Sequence, residues 1–455
     1  MANIKLNRIL LAGTGSGCGK TTYTCAILKA LMNRGMRTAS FKCGPDYIDP
    51  MFHSEVIGAY SRNLDTFLCG RDTVKTLLAR GASHADIAVI EGVMGFYDGL
   101  GGKTPAHSSC ELANETQTPV LLIVDCGSVS LSAAAVAKGF RDLAPNTIRG
   151  ILLNHVAEGL YPSYKEMIEF HTGLPVLGYL PWMREAAIES RHLGLITAAE
   201  IDALQEKISR LAVQAEQTVD IPALLHIAQE APPLEYTEPM LEKGAPVRIA
   251  VARDKAFCFY YEDAMDLLRD MGAELVPFSP LEDTALPDDC QGMILGGGYP
   301  ELYARQLSAN TALLQAVRQA VQRGMPTWAE CGGFMYLGES LQDQESAAWP
   351  MAGALPIQSE MTGRLQNFGY TTLTAREDNL FCRVGEGIPA HEFHFSKSDD
   401  DGHGFTAQSI RGKTRKCCMV SDTLFAGYPH IHLWGNIAFA KNFLDKARSM
   451  KEAQG

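Results

Sequence analysis

The chain carries 12 cysteines but no C-x-x-C pair, and only Cys417 and Cys418 are adjacent. Such scattered spacing excludes a zinc ribbon, a thioredoxin-like motif and a disulfide framework; it reads as reduced thiols packed as small apolar side chains. Positive charge is scarce as well. Lys and Arg number 40 against 52 Asp and Glu, for a net charge of -12, and no basic block occurs. A nucleic-acid surface needs clustered Lys and Arg, so nucleic acid is not an expected partner. No apolar run approaches the roughly 18 residues of a spanning helix, and the short ILLAG near the start leads directly into glycines with another use. The expectation is no membrane span and a cytoplasmic protein. Internal repeats and low-complexity segments are absent too.

What is present is an ordinary globular composition, 46% apolar and 20% charged, over 455 residues. That length is about two to three times a usual domain and predicts at least two hydrophobic cores. The runs RILLAG, RTASFKC, DIAVIEG, PVLLIVDC, GILLN and PVLGYL alternate with amphipathic stretches and each ends at a turn signal. This is the pattern of a parallel sheet covered by helices on both faces. A second alternating series comes in PVRIAVA, AELVPF, GMILGGGYPE and MPTWAECGG, and beyond about Trp349 the short segments resemble antiparallel strands. The predicted architecture is α/β with two domains, 1–195 and 245–455, and a helical segment with linker over 196–244.

The stretch LLAGTGSGCGKTT places a glycine-rich loop between a buried strand and a helix starting near Lys20. Backbone N–H groups of such a loop converge on phosphate at a helix N-terminus, where the helix dipole also favours an anion. Gly13, Thr14, Gly15, Ser16, Gly17, Cys18, Gly19, Lys20, Thr21 and Thr22 are therefore candidate nucleotide-binding residues, Lys20 for the terminal phosphates and Thr21 as a magnesium ligand. Thr14 stands where the strict pattern has glycine. Magnesium on a triphosphate recruits further carboxylates. Asp46 and Asp49 in FKCGPDYIDP, Glu91 after DIAVI and Asp98 in EGVMGFYDG all come after strand ends that open onto one crevice in a parallel sheet. The plain alternative for any one aspartate is a turn residue bonding its own backbone.

PTWAECGGFMYLG puts Cys331 between a strand and a probable helix, the turn on which a nucleophile is held exposed. A base is needed, and GYPHIHLWGN offers His430 and His432, two residues apart and on one face if extended. Gly296 to Gly298 are candidates for presenting a backbone N–H to a developing oxyanion. A zinc site from these two histidines and the cysteine lacks a fourth ligand at a recognisable spacing.

In this order, GTGSGCGKTT, KCGPDYIDP, EGVMGFYDG, SRHLGL, GGGYPE, ECGG, HEFHFS and YPHIHL closely resemble the cobyrinic acid a,c-diamide synthase family, over essentially the whole chain. The resemblance implies a P-loop domain similar to dethiobiotin synthetase joined to a class I glutamine amidotransferase-like domain. It implies ATP and magnesium as cofactors, with glutamine and a tetrapyrrole polycarboxylate, cobyrinic acid, as reactants. Lys42, Asp46, Tyr47, Asp49 and Asp98 then fall at substrate-binding positions, with Thr21, Asp46 and Glu91 on the metal. Asn154 resembles the adenine-contacting Asn of dethiobiotin synthetase, and Cys331 matches the glutaminase nucleophile. The usual triad ends His-Pro-Glu, whereas this chain reads His430-Ile431-His432. The third member is therefore unassigned and both histidines stand as bases, with His430 favoured by its place after Tyr428 and Pro429. Amidation of a nickel sirohydrochlorin or of hydrogenobyrinic acid stays open beside cobyrinic acid, as does a homodimer. A P-loop ATPase switch of the partitioning type is the reading from another class; it would leave the glutaminase half without a purpose.

Overall fold

The computed structural model describes residues 2–183 and 198–454. SRHLGL, at 190–195, lies outside the described residues. The chain divides into two compact units, Met1–Glu238 and Pro239–Gly455.

The first unit runs β1 (Ala2–Ile4), β2 (Arg8–Gly13), α1 (Lys20–Asn33), β3 (Thr38–Cys43), α2 (Ile48–Phe52), β4 (Ser61–Leu64), α3 (Arg71–Gly81) and β5 (Ile87–Glu91). It continues with α4 (Ser109–Glu115), β6 (Val120–Asp125), α5 (Leu131–Asp142), β7 (Ile148–Asn154), α6 (Tyr161–Thr172), β8 (Val176–Leu180), α7 (Ala198–Thr218), α8 (Ile221–Gln229) and β9 (Leu234–Tyr236). Seven strands pair in the order β4-β3-β5-β2-β6-β7-β8, all parallel. Six of them are the apolar runs of the sequence. The seventh, β4, is the polar tetrapeptide SRNL at the sheet edge, too short and too polar for a periodicity signal.

Because helices cover both faces, strands such as β2, β5 and β8 are buried along their whole length rather than alternating. Ile9, Leu11, Val89, Leu121 and Ile123 share one core with Tyr23 and Ile27 of α1 and with Leu211, Ala215, Leu224 and Ile227 of α7 and α8. The helices of 196–244, expected to stand between the domains, thus complete the core of the first unit. Antiparallel pairing of β1 with β9, from Ala2↔Tyr236 to Ile4↔Leu234, closes it. Register then fixes the chemistry: Leu11 and Lys42 both lie abreast of Glu91, so the loop after β2 opens beside the ends of β3 and β5.

The second unit opens with β10 (Val247–Ala252), α9 (Glu262–Asp270), β11 (Ala273–Phe278), β12 (Gly292–Leu295), α10 (Ala304–Ala309), α11 (Thr311–Gln322), β13 (Thr327–Glu330) and α12 (Gly332–Leu337). Its main sheet has the order β11-β10-β12-β13, then Leu424–Gly427 in parallel and Met419–Ser421 antiparallel at the edge. Between β13 and that return the chain builds smaller sheets, in which Asn367–Ala375 pairs antiparallel with Gly387–His394. Glu330 sits abreast of Gly427 in the main sheet. The short step from Gly427 to His430 brings the histidine back to the end of β13.

Candidate functional site

In the first unit the loop after β2 closes around its own lysine. Lys20 is 8% exposed, and its Nζ donates to Gly15 O at 2.8 Å. Burial, with Lys42 nearby, holds this ammonium below its ordinary value. Gly19 has φ 103° at the start of α1, and a Cβ there would meet Asn154 Nδ2 at 2.4 Å. Asn154, at the end of β7, donates to Cys18 O at 3.1 Å. The loop and Asn154 are therefore in direct contact, although 136 residues separate the bonded pair. His155 comes next with φ 60°, its Nδ1 2.9 Å from Asp125 Oδ1 and its ring stacked on Trp182 at 3.6 Å. Neither His155 nor Trp182 carries a sequence motif that singles it out.

Glu91 is the hub of the charged cluster beside the loop. It is fully buried; Oε1 accepts from Thr21 Oγ1 at 2.7 Å and from Lys42 Nζ at 2.8 Å, while Oε2 lies 3.1 Å from His53 Nε2. His53 is fixed in turn by Ser40 Oγ, 3.0 Å from its Nδ1. Lys42 also donates to Asp49. Burial opposes every charge here, and the pairing decides the outcome. Lys42 and His53 hold the Glu91 carboxyl well below the carboxylate range, and Glu91 with Asp49 holds the Lys42 ammonium high despite burial. Asp49 goes the other way: burial and the neighbouring Glu91 push it up to about 7, against the pull of Lys42.

The other predicted acids sit differently. Asp46 Oδ1 accepts from Ile48 N at 2.8 Å in a turn, although its charge is felt by Lys42 and Asp49. Asp98 is exposed and caps Gly95 N at 2.9 Å, the plain turn role. Tyr47 is buried at 9% exposure, just before α2. Among the described residues no group of three or more His, Cys, Asp and Glu side chains could hold a metal by itself. The hydroxyl of Thr21 and the carboxylate of Glu91, both hard oxygens beside a phosphate loop, nevertheless fit magnesium, which takes one or two protein ligands and completes its shell with phosphate and water.

In the second unit Cys331 has φ 46°, a left-handed conformation that a non-glycine residue adopts only under constraint. The constraint is visible. Cys331 N donates to Gly427 O at 2.7 Å, and Gly333 N donates to Gly296 O at 3.0 Å. A Cβ at Gly333 would sit 2.1 Å from Leu295 O, so the turn packs flush on β12. His430 hydrogen-bonds Cys331 on one side, and on the other its Nδ1 lies 3.2 Å from Glu330 Oε2. Burial disfavours a charged imidazole, yet these two partners carry His430 up to about 10. His432 is elsewhere: its ring stacks on Tyr261 at 4.8 Å, its Nδ1 accepts from Trp434 N at 3.3 Å, and burial pushes it down to about 3. The two histidines take different partners, although the backbone at His432 is still extended (φ -110°, ψ 114°) before the chain turns into Leu433–Gly435.

The glycine run meets the same centre. A Cβ at Gly297 would fall 2.6 Å from His430 Cε1. The Gly296 N–H, by contrast, is taken by Tyr260 OH at 3.0 Å, so the expectation of an oxyanion donor narrows within the run. Glu330 belongs to the same cluster although no sequence motif assigns it, and its position directly before Cys331 in PTWAECGG is the local signal that marks it.

Residues 9–195 match the CobQ/CobB/MinD/ParA nucleotide binding domain, and residues 248–437 match the CobB/CobQ-like glutamine amidotransferase domain. Cobyrinate a,c-diamide synthase from Priestia megaterium is 39% identical over 98% of this chain and 98% of its own. The enzyme of that name from Thermoplasma volcanium is 39% identical over 97% and 98%, and that from Salmonella typhimurium 45% identical over 85% of each chain. With the phosphate loop in one unit and the cysteine elbow in the other, these matches establish that the chain belongs to the cobyrinate a,c-diamide synthase family.

Proposed function

We propose that the chain amidates the a and c acetate side chains of cobyrinic acid at the expense of ATP and glutamine. The observation that carries the reading is the continuous contact Thr21–Glu91–Lys42–Asp49, which joins the phosphate loop to a buried ammonium able to hold a carboxylate. A carboxylate does not condense with ammonia at neutral pH because its leaving group is poor. Transfer of the γ-phosphoryl group to one acetate oxygen gives an acyl phosphate and ADP; ammonia then attacks the acyl carbon and phosphate departs.

Lys20 holds the terminal phosphates and balances the charge that spreads over the transferring group. Lys42 receives the acetate, which replaces Asp49 as the ammonium's partner, and His53 keeps Glu91 oriented while that exchange occurs. Thr21 and Glu91 are the residues that would hold magnesium, whose chemistry when bound is to neutralise charge on the phosphates. Asn154 fixes the loop from behind, and the stacked His155 and Trp182 offer a flat wall to the purine.

The second centre supplies ammonia. The Cys331 thiol gives its proton to His430, the sulfur attacks the glutamine side-chain carbonyl, and the imidazolium returns a proton to the departing ammonia; water then cleaves the thioester to glutamate. The test is mass spectrometry of the products formed with cobyrinic acid, hydrogenobyrinic acid and nickel sirohydrochlorin, each with glutamine and ATP. A gain of two amide nitrogens on cobyrinic acid is expected, and conversion of nickel sirohydrochlorin alone would overturn the assignment.

A further inference from the structure

We propose that Glu330, the residue directly before the nucleophile, is the positioning carboxylate that orients His430 for glutamine hydrolysis. The inference rests on the reading of Cys331 as the glutaminase nucleophile. The usual amidotransferase pattern places this carboxylate two residues after the histidine, where the chain has His432. That imidazole stacks on Tyr261 and accepts from Trp434 N, which commits it to a different cluster.

Glu330 is 4% exposed and comes from the last position of β13. Its oxygens are divided between two tasks. Oε1 accepts from Trp328 Nε1 at 2.9 Å and from Ile431 N at 3.0 Å, which pins the carboxylate to the histidine's own strand. Oε2 is left to accept the proton of His430 Nδ1 at 3.2 Å. With Nδ1–H held there, Nε2 is the nitrogen available to take the thiol proton, so the carboxylate sets the tautomer as well as the ring plane. It also balances the imidazolium formed when the proton arrives. A buried carboxylate with three donors on it has no free orientation, which gives it the rigidity an orienting group needs. The charged or titratable groups facing His430 are Glu330, Cys331 and His391, the last paired directly opposite it across the antiparallel strands and pushed down to about 4 by burial and then by His430 itself.

The test is Glu330→Gln in the full chain, compared with Glu330→Asp and with Cys331→Ala. The amide keeps an acceptor for Trp328 and Ile431 but turns a donor toward Nδ1, so His430 takes the wrong tautomer. Glutamine hydrolysis should fall roughly 10²- to 10⁴-fold in kcat with little change in KM. Alkylation of Cys331 by iodoacetamide should slow at pH 7, with its pH profile displaced upward, because the imidazolium that stabilises the thiolate is no longer balanced. Glu330→Asp should recover part of both, and ammonia-dependent amidation is the control for folding. Glutamine hydrolysis within about threefold of wild type in Glu330→Gln would overturn the inference. Should that variant fail to fold, Trp328→Phe removes one anchor and leaves the carboxylate; an unchanged alkylation profile there overturns it equally. Undiminished glutamine hydrolysis in Cys331→Ala would instead overturn the underlying nucleophile.

Discussion

The two centres solve opposite problems. In the first unit the work is stored in charge: Lys42, Glu91, His53 and Asp49 meet in a buried cluster. In the second unit the charge is modest and the constraint lies in the chain, with Cys331 at φ 46° pinned by Gly427 and by the glycines just after it. Phosphoryl transfer needs a reservoir of charge that incoming anions can displace. A nucleophile needs a fixed direction. On the function proposed, one centre is rearranged by its ligands and the other resists rearrangement.

That contrast breaks most sharply at Cys331→Ser, which should lower glutamine-dependent amidation by roughly 10³-fold or more while ammonia-dependent amidation persists. Loss of both in a folded protein would mean the centres are not separable. Lys20→Ala should do the reverse, cutting ATP-dependent amidation roughly 10³-fold with either nitrogen source and sparing glutamine hydrolysis. Normal ATP consumption in that variant would place the phosphate site elsewhere. Gly297→Ala sharpens the comparison, since a methyl group 2.6 Å from His430 Cε1 forces the imidazole to move. Glutamine hydrolysis should drop roughly 10- to 100-fold, measured as glutamate release, because small misplacements near a reacting atom are costly. An equivalent methyl at Gly15, where nothing lies within 4 Å of the added carbon, should not touch it.

The smallest effect is on stability and belongs to the charge-storing centre. Burial and the neighbouring Glu91 push the folded Asp49 carboxyl up to about 7, above the usual unfolded value. The native state therefore keeps a proton that the unfolded chain has released, and stability declines as pH rises from about 4 to 7. Asp49→Asn removes that dependence. Its melting temperature relative to wild type should climb across this window and level off above it, and a constant difference would show that Asp49 is not held up by burial.

Legibility tracks distance along the chain. The phosphate loop, Lys20 and Thr21 are contiguous, so the sequence carries their arrangement almost complete. Asp49 and Glu91 are within reach because parallel strands present their ends to one crevice, but Asp98 cannot be told from a turn residue by type alone. His53 gives no sign, since nothing local announces that a π-helical turn at His53–Ile57 will press its ring on Glu91. His430 and His432 are indistinguishable at a period of two, because the strand that begins at His430 is only two residues long. Glu330 finds its partner 100 residues later, after the chain has built two further sheets and come back. Segment 196–244 reads as helical packing followed by a linker, but its sequence does not say which core Leu211, Ala215, Leu224 and Ile227 enter, and they enter the first.

One modest feature bears on how such a chain is assembled at the level of genes. Because β1 and β9 are hydrogen-bonded neighbours, the points where the polypeptide enters and leaves the first unit lie one strand spacing apart, about 5 Å. A segment with adjoining ends behaves as a cassette: it can be spliced into another open reading frame, or parted from the second unit at 238/239, without drawing its ends together across the fold.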